Sequence, residues 1–210
     1  AVDDPAQGAV LRYDLDGTAR EIVATGLRQP GDLALYHGLL WTGDTGWDAL
    51  KGMGQIDEID RVTPGADFGF PVCAGDEASL PCPDDVTPPA YTFPAHSTPL
   101  GMAAYRGDAI PILQDTLLVV LSGNRNDPVI AGFMVTALRF DAQGQFVERY
   151  DLMPNGDRLA GGARYTTDQL NYRNSGFFPR RPLDLAVSPE GWVYVSISGG
   201  RILALRQPGE

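Results

Sequence analysis

Residues 43–46 read GDTG, and the acidic run at residues 57–60 reads DEID. The two glycines permit sharp backbone turns, and a turn of this kind exposes carbonyl oxygens. Because Asp57 adds a carboxylate nearby, the two segments together present the oxygen donors that a hard cation prefers. Aspartates in such turns also commonly bond their own backbone. Two interpretations are therefore open, a loop that holds a ligand and a turn that stabilises itself.

The chain has two cysteines, Cys73 and Cys82, in a loop rich in Gly, Pro and Asp. No histidine or further cysteine stands near them in the sequence to complete a zinc site. Their spacing favours a disulfide that closes the loop, and a disulfide indicates an oxidising compartment. The alternative is a pair of free thiols in a cytoplasmic protein.

A predicted β-hairpin leads into the GDTG loop. Apolar residues alternate with small or polar ones on both sides of a His37 and Gly38 turn, which is the period-two pattern of two antiparallel strands. We expect His37 to be exposed there. The alternating apolar positions are Leu33, Leu35, Leu39 and Trp41.

The same strand and turn pattern recurs along the rest of the chain. Residues 71–99 have many prolines and predict a long loop, and residues 153–180 show little periodicity and predict a surface excursion. Further strands are predicted at residues 9–13, 21–25, 101–105, 115–123, 133–140, 145–153, 182–187, 192–197 and 201–206.

Composition limits the classes of protein that this sequence can represent. With 210 residues, 43% hydrophobic content, 25 Gly and 17 Pro, the chain is typical of a turn-rich all-β globular protein. A formal net charge of −11 and a pI near 4.5 argue against a nucleic-acid partner, because phosphate binding requires a basic field. No apolar run approaches the ~20 residues that span a bilayer, and the first residues do not resemble a signal peptide.

Three segments share one form, namely a small apolar strand, a turn, a strongly apolar strand and a Gly-containing loop. They begin near Asp32, Met102 and Asp184. The long, irregular period predicts four-stranded blades of a β-propeller, about three to three and a half of them. Since three blades cannot close a ring, we expect a missing segment or another chain to complete it.

Four motifs in order resemble the glucose/sorbosone dehydrogenase family, in the C-terminal half of its members. The motifs are ATGLRQPGDLAL, DEIDRVTPGADFGFPVCAGD, HSTPLGMAAYRGD and RPLDLAVSPEGWVYVS. The resemblance implies a soluble six-bladed propeller that uses pyrroloquinoline quinone (PQQ) and calcium. It also implies a calcium ion seated on the quinone, with Gly46, Trp47 and Asp57 as the corresponding ligands here.

The resemblance further implies a set of residues that face the cofactor, because arginine forks suit the carboxylates of a tricarboxylate quinone. Without the motifs, each arginine reads as a solvated surface charge and the histidine as a capped loop residue. The implied contacts are Arg28, Gln29, His96, Arg125 and Arg181.

The sequence also departs from the family pattern. Trp47 stands where the common family loop carries a basic residue, and Ile197 and Ser198 replace an acidic pair that often follows the last motif. The family's general base, a histidine of an earlier blade, has no counterpart here, so we expect no catalytic residue in this chain.

The predicted organisation is a single partial propeller domain over residues 1–210. Its parts are the end of one blade at 1–25, a blade with the Gly-rich and acidic loop at 26–71, a long loop with both cysteines at 72–98, a blade at 99–153, a surface insertion at 154–180 and a last blade at 181–210.

Three functions follow as hypotheses. The first is the C-terminal part of a PQQ- and calcium-dependent sugar dehydrogenase, periplasmic or secreted, that acts on a sugar, alcohol or aldehyde and takes its base from a missing half. The second is a non-catalytic accessory or scaffold subunit of an extracytoplasmic complex. The third is an unrelated carbohydrate- or metal-binding β-protein, in which Tyr91, Phe93, Tyr165 and Tyr172 would stack on sugars.

Overall fold

A computed structural model describes residues 4, 6–46, 56–73, 82–123, 132–153 and 180–206. These residues contain fourteen β-strands, one 3₁₀ turn at Pro111–Leu113 and no α-helix. The strands are β1 Val10–Arg12, β2 Glu21–Thr25, β3 Pro30–Tyr36, β4 Leu39–Asp44, β5 Asp57–Val62, β6 Ala66–Asp67, β7 Tyr91–Phe93, β8 Pro99–Tyr105, β9 Thr116–Leu121, β10 Met134–Phe140, β11 Phe146–Met153, β12 Pro182–Val187, β13 Val193–Ile197 and β14 Arg201–Leu205.

The strands form four sheets, which we number I to IV in chain order. Sheet I has the order β1-β2-β6, sheet II β3-β4-β5-β7, sheet III β11-β10-β9-β8 and sheet IV β12-β13-β14. All pairs are antiparallel except β2 with β6. Strand β8 lies against both β3 and β12, so the first strands of sheets II, III and IV are neighbours. This is the blade arrangement that the repeats predict.

Two apolar cores hold sheets II, III and IV together. One core lies between sheets II and III and contains Trp41, Ile59 and Phe140, and the other lies between sheets III and IV and contains Leu118 and Val195. Strand β9, TLLVVL, is buried at all six positions because sheet III is covered on both faces. A continuous apolar run rather than an alternating one is expected for such a strand.

The hairpin at His37 and Gly38 is confirmed. Both residues have positive φ, +53° and +73°, as a two-residue type I′ turn requires. The residue His37 is exposed overall, but its ring stacks on Tyr36 at 4.1 Å and its Nε2 lies 2.6 Å from Oδ1 of Asp115. The imidazole therefore ties the turn of sheet II to sheet III.

The region predicted as one long loop, residues 72–98, contains the short strand β7, which sequence analysis missed. Strand β7 pairs antiparallel with β5 and is the fourth strand of sheet II. A three-residue strand between prolines is too short to show a periodic pattern, so its pairing with β5 becomes visible only in the fold. The acidic run at 57–60 is likewise part of a strand, β5, and not an isolated loop.

The predicted disulfide between Cys73 and Cys82 is formed, with a Cα–Cα distance of 5.4 Å. The predicted insertion at 154–180 lies outside the described residues except at its last position. Within the described part of the chain, no helix combines the length and the apolar character needed to cross a bilayer.

Candidate functional site

The candidate residues gather where β3, β8 and β12 begin and where β4, β9 and β13 end. The register places Pro30 opposite Asp44, Pro99 opposite Leu121 and Pro182 opposite Ile197, so these strand ends lie at one end of the three sheets. We call it the loop end. The hairpin at His37 lies at the other end of the same strands.

At the loop end of sheet II, Asp44 holds the segment that carries Arg28. Its two carboxylate oxygens accept hydrogen bonds from the backbone N–H groups of Arg28, at 2.8 Å, and Gln29, at 2.6 Å. Nη1 of Arg28 donates to the carbonyl of Thr45 at 3.3 Å and to Oε1 of Gln29 at 3.0 Å. Burial raises the pKa of Asp44, and the two N–H donors oppose that rise.

Asp57 joins the GDTG loop to the loop that carries His96. Its Oδ1 accepts the N–H of Gly46 at 2.8 Å and its Oδ2 accepts the N–H of Thr98 at 2.7 Å. The residue is 1% exposed. Burial raises the pKa of Asp57 to about 6 even though both N–H donors, and His96 nearby, lower it.

The loop of His96 and the loop after β9 are joined by backbone hydrogen bonds. The N–H of Ser122 donates to the carbonyl of Thr98, and the N–H of Gly123 donates to that of Ser97. His96 and Thr98 both have positive φ, +68° and +55°. A β-branched residue rarely adopts that conformation, so this loop stores local strain.

Arg181, just before sheet IV, forms hydrogen bonds both to sheet IV and to the loop after β9. Its N–H donates to Oγ of Ser198 at 2.8 Å, and its Nε donates to the carbonyl of Ser122 at 3.3 Å. The side chain is half-buried. The loop ends of sheets II, III and IV are thus connected. Asp57 of sheet II accepts the N–H of Thr98, which precedes sheet III, and Arg181, which precedes sheet IV, donates to the carbonyl of Ser122, which follows β9.

The structure brings six of the predicted site residues to this loop end, and the other two, Trp47 and Arg125, lie outside the described residues. Of the two histidines, His96 lies at this end beside Asp57 and His37 lies at the opposite end beside Asp115. The six are Arg28, Gln29, Gly46, Asp57, His96 and Arg181.

A small cavity lies beside Arg28 and Asp44. Its volume is about 20 Å³, and Gly26, Gly46 and Glu58 also line it. That volume holds one water molecule, whereas a site for an organic cofactor needs hundreds of Å³. The described residues therefore do not enclose an organic cofactor at this cavity.

Sequence analysis missed that Asp60 is buried close to the carboxylate of Asp44. Asp60 is fully buried on β5, neither of its carboxylate oxygens has a hydrogen-bond partner among the described residues, and the nearby carboxylate of Asp44 adds to the effect of burial. Both factors raise the pKa of Asp60 well above its ordinary value. The signal that could have predicted this burial is the alternation of side chains along β5, which places Asp60 on the same face as the apolar Val62.

The described residues supply only part of the oxygen donors that a calcium ion needs. They contain no group of three or more His, Cys, Asp or Glu side chains that could hold a metal ion. Each oxygen of Asp57 already accepts one N–H and so retains one lone-pair position. Because calcium takes six to eight oxygens, Asp57 and the Gly46 carbonyl supply only part of a calcium site.

Known proteins with the same fold define the class. The PQQ-bound aldose sugar dehydrogenase of Streptomyces coelicolor superposes with a TM-score of 0.60 at 18% identity, over 95% of this chain and 52% of that one. The PQQ domain of the Coprinopsis cinerea pyranose dehydrogenase, in its holo form, gives 0.65 at 15% identity, over 95% and 61%. The chain thus shares the β-propeller fold of these proteins over about half of their length.

The sequence comparison identifies the family. The signature of the Glucose / Sorbosone dehydrogenase family matches residues 6–154, and the chain belongs to this family. An uncharacterized protein of Borreliella burgdorferi is 29% identical over 157 residues, which is 69% of this chain and 41% of that protein. The chain spans about half the length of the solved structures that it matches.

Proposed function

We propose that this chain is the C-terminal part of a PQQ- and calcium-dependent sugar dehydrogenase. The observation that carries the proposal is the meeting of six family-implied residues at one loop end, where hydrogen bonds connect three sheets in series. The family membership supplies the reaction class. The substrate would be a sugar, or a small alcohol or aldehyde of related chemistry.

Two arginines would hold the carboxylates of the quinone. Arg28 and Arg181 are half-buried, and both are anchored by backbone groups at the loop end. A guanidinium held in this way is oriented in advance, so less side-chain entropy is lost when a carboxylate binds. Gln29, His96 and Arg125 are proposed as further contacts to the cofactor.

The chemistry that a bound quinone supplies is acceptance of a hydride from the sugar carbon. The proton of the substrate hydroxyl must then go to a base. His37 is excluded by its position at the far end of sheet II, where Asp115 and Tyr36 hold its ring. We therefore assign the base to the part of the propeller that this chain does not contain.

Calcium would be bound at the GDTG loop and at the start of β5. Gly46 and Trp47 would contribute backbone carbonyls and Asp57 its remaining lone pairs, and the other oxygens would come from the cofactor and from outside the described residues. The disulfide between Cys73 and Cys82 supports a periplasmic or secreted location.

Calorimetric titration and thermal denaturation test the proposal. PQQ with calcium in excess should raise the Tm, since a ligand that binds only the native state stabilises it. Arg28→Ala should remove that shift. Arg12→Ala is the matched control, because Arg12 is an exposed arginine on β1 paired with Glu21, away from the loop end.

A second function is favoured by the small cavity at the loop end of the described residues. It is that of a non-catalytic accessory or scaffold subunit in an extracytoplasmic complex. An unchanged Tm at saturating PQQ and calcium, in the chain and in its assembly with the rest of the propeller, would reject the dehydrogenase proposal and leave this one.

A further inference from the structure

A cavity of about 200 Å³ lies between sheets II and III, away from the loop end. Three segments enclose it, namely the end of β5, the segment before β7 and the turn between β10 and β11. Arg61 follows Asp57 by four residues on β5, which is roughly 13 Å of strand. The cavity is therefore separate from the loop-end residues. The side chains that decide its chemistry are Arg61, Thr63, Thr87, Pro88, Pro89 and Gln145.

The segment before β7 forms a fixed wall of this cavity. The N–H of Thr87 donates to the carbonyl of Asp67 at 2.7 Å, and the N–H of Ala90 donates to the carbonyl of Ile59 at 2.9 Å. The two prolines between these bonds add rigidity, because each fixes its own φ. This wall is thus formed before any ligand arrives, as is usual for small-molecule sites.

The turn between β10 and β11 holds the side chain of Arg61 in place. Oδ1 of Asp141 accepts the N–H groups of Gln143 and Gln145, at 2.9 and 2.8 Å. The carbonyl of Gln143 accepts a hydrogen bond from Nη1 of Arg61. Gly144 is buried with a φ of +80°, and a Cβ there would lie 2.9 Å from Cδ of Arg61. Because glycine leaves room for the arginine stem against the turn, the guanidinium is oriented in advance.

The chemistry of the lining selects for an anion. Arg61 carries the one charge among the described lining residues. A guanidinium presents five N–H donors, and the bond to Gln143 uses one of them. Two threonine hydroxyls and the Gln145 amide add neutral donors and acceptors, and within the described residues no acidic side chain lines the cavity. In a chain with a net charge of −11, such a lining favours a small anion locally.

The size and the apolar wall of the cavity restrict that anion further. A protein cavity of about 150 Å³ holds benzene, so one of about 200 Å³ takes a ligand of roughly six to ten non-hydrogen atoms. Inorganic phosphate is smaller and would leave the wall of Pro88, Pro89 and Ala90 uncovered. A carbon chain fills that space, and hydroxyl groups on it match the neutral donors and acceptors.

We propose that this cavity binds a small hydroxycarboxylate. Arg61 holds the carboxylate. Thr63, Thr87 and Gln145 bond its hydroxyl groups, and the carbon chain lies on the two prolines. Pro88 and Gln145 are exposed, so the ligand enters from solvent on that side. The inference concerns residues outside the loop end and does not depend on the cofactor.

Titration of the 210-residue chain without PQQ or calcium, followed by amide NMR spectroscopy, tests the proposal. The probe is threonate, a short carboxylate with a hydroxyl on each further carbon. The amide signals of Thr87 and Gln145 should shift saturably, while those of Gly46 and Thr98 at the loop end should not move. Butyrate, which lacks the hydroxyls, and threitol, which lacks the carboxylate, should each bind about tenfold or more weakly at the same ionic strength.

Variants of the lining test the assigned contacts. Arg61→Ala should weaken threonate binding about tenfold or more, since it removes the charge-assisted bonds to the carboxylate. Thr87→Val removes one hydroxyl at nearly constant shape and should weaken binding about three- to tenfold, and it serves as the test if Arg61→Ala does not fold. Arg106→Ala is the matched control and should not change the affinity. Arg106 likewise donates to a backbone carbonyl, that of Leu35 at 3.0 Å, but it does not line the cavity.

Four outcomes would overturn the proposal. They are equal affinity for phosphate and threonate, shifts confined to the loop end, an affinity indifferent to both Arg61→Ala and Thr87→Val, and no saturable shift up to about 20 mM threonate. A Tm that PQQ and calcium leave unchanged would reject the dehydrogenase proposal alone, because this site contains none of the loop-end residues.

Discussion

At the scale of single residues, three buried aspartates share a strand pair and differ in what they contact. Asp44 and Asp57 each accept two backbone N–H groups, and each fixes a loop at the loop end. Asp60 is buried near Asp44, and within the described part of the chain its carboxylate has no hydrogen-bond partner. A buried carboxylate is stabilised by donors and not by its position alone, so only the first two can serve as ties for the site.

Asp57→Asn should reduce the pH dependence of stability. The pKa of Asp57 is about 6 in the folded chain and 3.8 as an unperturbed carboxyl, so the folded state binds more protons between those values. The free energy of unfolding of the wild type should therefore fall as pH rises from 4 to 6, by up to about 3 kcal/mol from this group. Urea denaturation at several pH values measures it.

The asparagine variant should show a shallower fall over that range. It should also be less stable at low pH by about 1–2 kcal/mol, because an amide cannot accept both N–H groups. Asp108→Asn, at an exposed aspartate, is the control and should reproduce the wild-type curve. An Asp57→Asn curve parallel to that of the wild type would contradict the structure.

At the scale of elements, the first strand of each blade begins with the same irregularity. The register shifts between Pro30 and Leu33, between Pro99 and Met102, and between Pro182 and Asp184. Gly101 occupies the position of Asp32 in sheet III, and a Cβ there would lie 2.7 Å from Cα of Asp184. The close approach of sheets III and IV therefore requires glycine at this position, where sheet II instead uses a carboxylate.

The loop before β7 is held by the disulfide between Cys73 and Cys82. Replacing either cysteine by serine should lower the free energy of unfolding by about 2–3 kcal/mol, since the bond closes a loop of about ten residues in the unfolded chain. The double variant should lose no more than either single variant, because all three remove one bond. Denaturation under oxidising conditions checks this, and additive losses would disagree with it.

At the scale of the whole molecule, the chain carries a net charge of −11. Like charges repel one another in the compact state, and salt screens that repulsion. The acidic surface is therefore expected to weaken self-association of the chain at low salt. Any cation raises stability by screening, so a specific effect of calcium must be compared with that of another salt at the same ionic strength.

Sodium chloride should raise the Tm of the chain as its concentration increases from about 10 to about 200 mM, where the Debye length falls below ~10 Å. Calcium chloride at equal ionic strength should give the same rise plus any contribution from a specific site. Thermal denaturation in both salts separates the two effects. A lower Tm in sodium chloride would show that repulsion between carboxylates does not limit stability.

The periodic parts of the chain were predictable from sequence, and the short or aperiodic parts were not. The hairpin at His37 and Gly38, the apolar strand β9 and the repeat of blades follow from local patterns. Strand β7 does not, because three residues between prolines form a strand only by pairing with β5. The pairing of Cys73 with Cys82 was predictable because the described chain offers each cysteine one partner.

The sequence by itself determined the all-β class, the propeller blades and the family. Local propensity and the order of motifs carry that information, since both depend on near neighbours along the chain. Only the tertiary structure decided that Asp44 and Asp57 tie loops together, that Asp60 is buried with no hydrogen-bond partner among the described residues, and that Tyr194 and Ile202 face solvent. Those properties depend on contacts between distant residues and on which face of each sheet the next sheet covers.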